Sequence, residues 1–241
     1  MSRTAPHSDT VIYVPTFNRL RVAQESLANM RAVKQGATLL VTDDHSTEHD
    51  GSALIAMGDG GFRNLTNKGI DQVRLSHLEA FLNSNYHYCY FADSDTLHDP
   101  EALDRARHLY DQYSFLCTLY NTNSAYHKDG DVVILEGQDI LFRNSIPGCS
   151  MYFDRTLGQR IYAYIEDALR VWGPQCISRR YGQWDWAFCF AVPAAAMSQR
   201  SYCDHLAIDG LHSFVNDRAL APTPALRAIR AEVVRRLNAV V

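Results

Sequence analysis

Short apolar runs alternate with helix-like segments along the first half of the chain. Buried strands are predicted where the apolar runs fall, at residues 11–14, 38–42, 62–65, 86–92 and 115–120. Between them, apolar residues recur three and four positions apart, which predicts helices at 19–30, 69–82 and 100–110. Alternating strands and helices are typical of a mostly parallel sheet that is flanked by helices.

The pattern changes after about residue 121. A hairpin is predicted from residues 132–135 and 140–143, then a strand at 151–153 and helices at 157–171 and 224–237. Asp204, His205 and His212 fall in a segment that we interpret as rich in loops. We predict a single α/β domain over residues 1–241 with a mixed, mostly parallel sheet, divided into halves of about 9–120 and about 121–241.

Composition and charge narrow the class of protein. The 27 acidic residues outnumber the 23 basic ones, so no overall positive field attracts nucleic acid. The six cysteines include no Cys-x-x-Cys pair, which argues against a zinc site and indicates buried thiols in a reducing compartment. Because the N-terminus lacks a signal-like apolar region and no apolar run reaches about 18 residues, we expect a soluble, cytoplasmic protein without a membrane span.

Polar residues follow three of the predicted strands at their carboxyl ends, where open parallel sheets bind ligands. After the first strand come Thr16 and Asn18, together with the turn residue Pro15 and the aromatic Phe17; Asp43 and Asp44 follow the second strand, and Asp93, Ser94 and Asp95 follow the fourth. An Asp-x-Asp triplet suits a hard divalent cation, Mn2+ or Mg2+, that also binds a diphosphate. Taken alone, the triplet is better explained as a polar turn before the helix near Pro100.

The three strand ends together resemble a known family. Residues 11–18 read Val-Ile-Tyr-Val-Pro-Thr-Phe-Asn, residues 40–47 read Leu-Val-Thr-Asp-Asp-His-Ser-Thr, and residues 90–95 read Tyr-Phe-Ala-Asp-Ser-Asp. In order and spacing, over about residues 9–105, they are similar to the nucleotide-sugar half of family 2 glycosyltransferases. The resemblance implies a GT-A-like, Rossmann-like fold and a nucleotide-sugar donor.

The resemblance also implies roles on the donor side. Phe17 would stack on the base, Asp44 would accept a hydrogen bond from it, which favours UDP, and Asp95 would be the main metal ligand. Asp93 would contact ribose or a metal-bound water, and Ser94 stands where the family often has a third acid. Pro15 and Asn18 belong to the same donor loop. Arg74 would approach the donor, although a solvated helix charge explains it equally well.

The second half should recognise the acceptor and supply a general base. Asp185 lies between Trp184 and Trp186, so a dry aromatic wall could raise its pKa and a ring could support a sugar. The resemblance implies that Asp185 is the base, whereas the alternative is a helix acid beside core tryptophans. Gly148 would let the backbone approach the donor sugar, or would simply form a hairpin turn. Either His205 or, as we favour, His212 would complete the metal site, unless both are ordinary surface histidines.

These expectations combine into one function. The chain is predicted to move a sugar from a nucleoside diphosphate donor to a hydroxyl acceptor, with inversion and a divalent metal. The alternatives are a sugar nucleotidyltransferase, which the absence of glycine from residues 15–20 disfavours, and a non-catalytic sugar- or nucleotide-binding module. The acceptor stays open among a glycan, a lipid-linked sugar, a protein, a small molecule and a modified nucleic acid. The last helix, with Arg227, Arg230, Arg235 and Arg236, is expected to pack on the domain rather than bind an anionic partner.

Overall fold

The computed structural model describes residues 6–121, 133–134, 140–143, 146, 148–173, 184–192, 194–206 and 223–239. The strands are β1 (Thr10–Thr16), β2 (Thr38–Asp43), β3 (Gly60–Arg63), β4 (Tyr88–Ala92), β5 (Thr96–His98), β6 (Leu116–Asn121), β7 (Val133–Ile134), β8 (Ile140–Arg143), β9 (Ser150–Asp154) and β10 (Ala195–His205). The helices are α1 (Leu20–Val33), α2 (Ser52–Ile55), α3 (Ile70–Leu82), α4 (Ala102–Tyr113), α5 (Arg155–Trp172), α6 (Trp184–Phe190) and α7 (Pro224–Asn238).

These strands form one sheet in the order β3-β2-β1-β4-β9-β6-β10-β8-β7, with β5 paired to β10. Parallel pairing joins β1 to β2 and β4, β2 to β3, and β6 to β10. β9 runs antiparallel between β4 and β6, and β8 and β5 run antiparallel to β10. Following these pairings, seven of the ten described strands point the same way, so the predicted mixed, mostly parallel sheet is confirmed.

The centre of the sheet is apolar on both faces because helices cover it. Every residue of β1 is buried, and the pairing of Thr16 with Asp43 brings the carboxyl ends of β1 and β2 level. In α1 the side chains that face the core recur at helical spacing: Ala23, Leu27, Met30 and Val33. Large rings from β4 and β9 fill the middle of the core, namely Tyr90, Phe91, Tyr152 and Phe153. This packed centre is a rigid base for the loops at the strand ends.

The elements predicted for the first half agree with the structure to within a few residues, and the hairpin of β7 and β8 is confirmed. The interpretation of residues 204 and 205 as loop is wrong. They end β10, an eleven-residue strand that pairs with β6, β8 and β5. The segment mixes small, polar and apolar residues without alternation, and its register shifts twice between Met197 and Cys203. A bulged strand of this kind leaves no periodic signal in the sequence.

The last helix packs on the domain, as expected. Leu226 and Val233 of α7 join Leu97 and Leu206 in a small apolar cluster. Two arginines tie the helix to the sheet and to α1, because Arg230 lies 3.0 Å from buried Asp204 and Arg236 lies 2.7 Å from Glu25. The helix begins at a capped turn in which the Thr223 hydroxyl accepts from the Leu226 amide at 3.1 Å.

Two simpler expectations can be compared directly with the structure. Five cysteines (Cys89, Cys117, Cys149, Cys189 and Cys203) are free and buried, while Cys176 lies outside the described residues. Within the described part of the chain, no helix is long and apolar enough to cross a bilayer.

Candidate functional site

Two aspartates and a histidine converge at the carboxyl ends of β4 and β10. One ligand atom each from Asp93, Asp95 and His205 lies within 4.8 Å of the other two. The convergence depends on β5, which pairs antiparallel with β10 and sets His205 opposite Thr96. In addition, the Leu206 amide donates to the Asp95 carbonyl at 2.6 Å. Residues more than 100 positions apart in sequence therefore meet at one point of the sheet edge.

Asp95 is the electrostatic centre of this group. Its Oδ1 lies 3.1 Å from Nε2 of His205, and its Oδ2 lies 3.3 Å from a guanidinium nitrogen of Arg19. Burial alone would lower the pKa of His205, but the hydrogen bond and charge of Asp95 outweigh it and raise that pKa to about 9. The imidazole is therefore protonated at neutral pH, and a metal ion bound between these residues would displace that proton.

The chemistry and spacing of the three side chains fit a divalent metal ion. Ligands about 2.1 Å from an octahedral ion lie at most roughly 4.2 Å apart, so the observed group needs only a small closure. Two carboxylates and one imidazole suit Mn2+, while carboxylates alone also suit Mg2+. His205 was the less favoured of two histidines in the sequence, and His212 lies outside the described residues.

Arg74 holds Asp93 from behind the site. The side chain of Arg74 is 0% exposed, and its guanidinium donates to Asp93 Oδ1 at 2.7 Å and to the carbonyls of Tyr13 and Ala92. Burial lowers the pKa of Arg74, although the neighbouring charge of Asp93 raises it. The alternative of a solvated helix charge is therefore wrong. Position 74 lies on the same helix face as buried Val73, His77 and Phe81, which was the signal for burial in the sequence.

Asp44 is enclosed by the loop that precedes α3. It is 4% exposed, and its carboxylate accepts from the Asn64 side chain at 2.7 Å and from the amides of Lys68 and Gly69 at 2.9 and 2.8 Å. About four acceptor positions exist on a carboxylate, so three of them are used within the protein. The contacts of Asp44 and Asn64 were not expected from the sequence. Through these contacts, the loop at residues 64–69 lies against Asp44, the residue predicted to bind the base.

The loop after β1 is linked to the loop after β2. Asn18 Oδ1 accepts from the amides of Thr47 and Glu48, and the Asn18 amide donates to the Ser46 hydroxyl at 2.8 Å. Asn18 and Arg19 both adopt left-handed backbone angles, with φ of 54° and 55°. Such angles cost roughly 1 kcal/mol or more for a residue with a side chain. The hydrogen bonds of Asn18 with the loop after β2 offset this cost.

The remaining donor-side residues differ in how far they are exposed. Phe17, directly after β1, is 45% exposed, and its proposed stacking on the base stays a prediction. Pro15 is buried within β1 opposite Thr42, so it shapes the backbone rather than presenting a side chain. Ser94 is half-buried between the two aspartates of the metal group.

Asp185 lies in the first turn of α6, and its carboxylate accepts from the Trp186 amide at 2.9 Å and from the Gly148 amide. Burial, together with the negative charge of Asp93, raises the pKa of Asp185 to about 6 against the effect of these two hydrogen bonds. A carboxylate with this pKa is ionised at neutral pH and accepts a proton more readily than an ordinary aspartate.

Gly148 and the two tryptophans give α6 a buried side and an open side. A Cβ added to Gly148 would come within 2.1 Å of the Trp184 ring, so only glycine fits this approach. Trp184 is buried against Phe91 and Phe188, whereas Trp186 is 48% exposed and pairs edge-on with Phe190. Trp186 is thus the tryptophan that a substrate can reach.

Comparisons with known proteins bear on the fold. No protein-family model matches the chain, and no curated protein matches it in sequence. Among solved structures, the mannosyltransferase PcManGT from Pyrobaculum calidifontis, in complex with GDP-Man and Mn2+, is 14% identical, with a TM-score of 0.59 over 98% of this chain and 73% of that chain. S. aureus TarS 1–349 in complex with UDP-GlcNAc is 16% identical, with a TM-score of 0.55 over 96% of this chain and 67% of that chain.

The chain has a GT-A-like fold. The match extends to a longer S. aureus TarS structure, of which this chain covers 36% at 14% identity and a TM-score of 0.54. The chain therefore spans about a third of that protein. Within the GT-A-like sheet, the Asp93, Asp95 and His205 group occupies the carboxyl ends of the strands, where this class of open sheet binds ligands.

Proposed function

We propose that the protein is a metal-dependent glycosyltransferase that moves a sugar from a nucleoside diphosphate donor to a hydroxyl acceptor, with inversion. The observation that carries the proposal is the group of Asp93, Asp95 and His205 at the strand ends of a GT-A-like sheet. Asp185 supports it, because a carboxyl whose pKa is raised to about 6 lies within electrostatic reach of the same group.

On the donor side, Asp95 and His205 would hold the cation, with Asp93 as a direct ligand or as the partner of a bound water. A divalent ion there would stabilise the negative charge that develops on the departing diphosphate. Phe17 would stack on the base, and Arg19 would leave Asp95 to meet a phosphate. Pro15, Asn18 and Ser94 would keep the backbone of the donor loops in place, and Gly148 would border the donor sugar.

On the acceptor side, Asp185 would take the proton from the attacking hydroxyl. The oxygen would then attack the anomeric carbon from the face opposite the diphosphate, which inverts the configuration. Trp186 would support the acceptor, since it is exposed one residue after the base. An exposed ring beside a carboxylate suits a sugar-bearing acceptor.

UDP is the nucleotide we propose first. Asp44 retains one acceptor position for the imide of uracil, after the three contacts that it makes with residues 64–69. The two similar structures were solved with GDP-Man and with UDP-GlcNAc, so GDP is the nucleotide to compare.

The test is to incubate the protein with UDP-sugars and GDP-sugars in Mn2+ and to measure free nucleoside diphosphate. We expect release that requires Mn2+, stops in EDTA, and disappears in Asp95→Asn. Release of pyrophosphate from a nucleoside triphosphate and a sugar phosphate would instead identify a nucleotidyltransferase. Binding of nucleotide sugars without any turnover would identify a binding module.

A further inference from the structure

The guanidinium of Arg74 packs against two aromatic rings that also contact each other, with ring centres 5.8 Å apart. Its central carbon is 4.8 Å from the centre of the Phe91 ring and 4.9 Å from that of the Trp184 ring. In its own plane, it donates to the Tyr13 carbonyl at 3.1 Å, the Ala92 carbonyl at 2.8 Å and Asp93 Oδ1 at 2.7 Å. Because Arg74 is 0% exposed, its positive charge is removed from water.

This arrangement needs an arginine. A buried charge costs several kcal/mol unless it has an ion-pair partner and satisfied hydrogen bonds. Among the described residues, Asp93 is the carboxylate that pairs with Arg74. A planar fork can donate to three oxygens in its plane while aromatic rings pack against it, whereas a lysine ammonium cannot do both.

Two of the residues that Arg74 contacts, Asp93 and Trp184, belong to different parts of the candidate site. Asp93 belongs to the candidate metal group, and Trp184 is the first residue of α6, directly before Asp185. Trp184 is fixed in turn by Gly148, whose amide donates to Asp185. A shift of the guanidinium would therefore move the Asp93 carboxylate and release the packing of Trp184.

We propose that Arg74 is a positioning residue that holds Asp93 in the metal group and, through the Trp184 ring, ties the start of α6 to it. It acts through these neighbours and not by contact with the donor. This inference rests on the proposed function for what the two carboxylates do, but the link itself is a property of the folded chain.

Arg155 offers a matched control. It also donates to backbone carbonyls, those of Leu82, Ser84 and Tyr86, and its guanidinium carbon lies 5.2 Å from the centre of the Phe81 ring. These partners tie the start of α5 to the end of α3, and none of them belongs to the candidate site. Arg155→Lys therefore shows how much stability is lost when a comparable arginine outside the candidate site is replaced.

The first measurement is calorimetric titration of the protein with Mn2+ alone, without donor or turnover. We expect the Kd for Mn2+ to rise about 10-fold to 100-fold in Arg74→Lys, the usual effect of losing a residue that orients a metal ligand. Arg155→Lys should keep the wild-type Kd while its Tm falls. The same Kd in Arg74→Lys and wild type would overturn the proposal.

If Arg74→Lys does not fold, Trp184→Phe tests the same link between α6 and the metal group. The phenylalanine keeps an aromatic ring at this position but weakens its contact with Arg74. The variant's Kd for Mn2+ should rise severalfold, although Trp184 supplies no ligand to the metal group. An unchanged Kd would show that α6 and the metal group are independent, and would overturn the link.

A thermal double-mutant cycle separates this inference from the proposed function. Asp93→Asn leaves the buried charge of Arg74 without its partner and should lower the Tm by roughly 5 °C or more. Adding Arg74→Met should recover part of that loss, because no unpaired charge remains. If wild type binds no Mn2+, the metal-dependent function fails while this coupling still supports the positioning role. Additive Tm shifts would reject it.

Discussion

At the carboxyl ends of β2 and β4, acid side chains are held by protein donors, whereas at the start of α6 the functional side chains partly face outward. Both oxygens of Asp44 accept from loop amides, and Oδ1 of Asp93 accepts from the buried guanidinium of Arg74. On α6, Trp186 and Phe190 are exposed, and Asp185 accepts from two backbone amides. The acids at the strand ends are thus held in place by the protein, whereas the rings on α6 are open to solvent.

The difference corresponds to what each side would bind. A metal ion is small, cationic and fixed in shape, so carboxylates that the protein already holds in place bind it with little ordering cost. An acceptor presents apolar sugar faces and hydroxyls, which exposed rings and one basic carboxylate can meet. The predictions below test whether the donor side is rigid and the acceptor side open, in order of decreasing effect.

The largest effect is expected for Asp95→Asn. Asp95 is a buried residue that pairs with His205 and Arg19, so donor turnover should fall below detection, while the protein stays folded with a moderately lower Tm because the pair with His205 is lost. Nucleoside diphosphate release with and without EDTA, together with a thermal melt, measures both. If the variant turned over the donor at the wild-type rate, or if the wild-type protein stayed fully active in EDTA, the reaction would not depend on a metal ion.

Asp185→Asn should separate the two sides of the site. It keeps the shape of the side chain and removes proton acceptance, so kcat should drop by about 100-fold to 10,000-fold. The donor KM and the Kd for Mn2+ should stay close to the wild-type values, since the lost interaction matters in the transition state. Steady-state kinetics and calorimetry are the measurements. A normal kcat would end the assignment, and buried Asp204, paired with Arg230, could not replace it.

The two tryptophans of α6 should respond differently to truncation. Trp184→Ala should lower the free energy of unfolding by about 3–5 kcal/mol, because a buried ring is lost. Trp186→Ala should change stability by less than about 0.5 kcal/mol and should chiefly raise the acceptor KM. Chemical denaturation and acceptor kinetics test the pair. Equal stability losses would mean that the acceptor side is as closed as the donor side.

Asp44→Ala should weaken nucleoside diphosphate binding by roughly 1–3 kcal/mol, because the loop at residues 64–69 loses its anchor. Asp59→Ala is the matched control, since Asp59 also accepts from a backbone amide, that of Leu39, and pairs with Lys34. Both variants should lose stability, but only Asp44→Ala should bind UDP more weakly in calorimetry. Unchanged UDP affinity would detach this loop from the base site.

The smallest effect concerns pH. Asp185, with Asp93 and the amides of Trp186 and Gly148 around it, has a pKa raised to about 6 by burial. A base must be ionised, so kcat/KM should be level above this pKa and fall as the pH drops through it, to about a tenth at pH 5. Kinetics at saturating Mn2+ from pH 4.5 to 8 test this. A level profile down to pH 4.5 would mean that the base is not a buried carboxyl.

The sequence predicted the polar strand ends of the first half far better than the second-half strand that brings His205 to them. β1, β2 and β4 are apolar runs that end in polar triplets, so both their existence and their ligand-binding ends follow from local patterns. His205 was placed in a loop because β10 has no alternation, and its partners β5, β6 and β8 lie far away in sequence. Only the three-dimensional pairing brings that imidazole to Asp95.

Arg74 shows a second limit. Its charge suggested a surface or ligand-facing residue, although its helix position lies on the apolar face. Hydrophobic patterns treat a charge as solvated, and nothing local reveals that Asp93 and two rings will enclose it. The role of Asp44 was assigned without its loop for the same reason, since Asn64 and Gly69 reach it only after folding.

The close fit of Gly148 against Trp184 limits how the chain can change over generations. A side chain at residue 148 would displace Trp184, which would disturb Arg74 and then Asp93. A position in one half of the sequence is therefore constrained by a carboxylate in the other. We expect relatives of this protein to exchange Gly148 only together with a smaller residue at 184, as one correlated step rather than two independent ones.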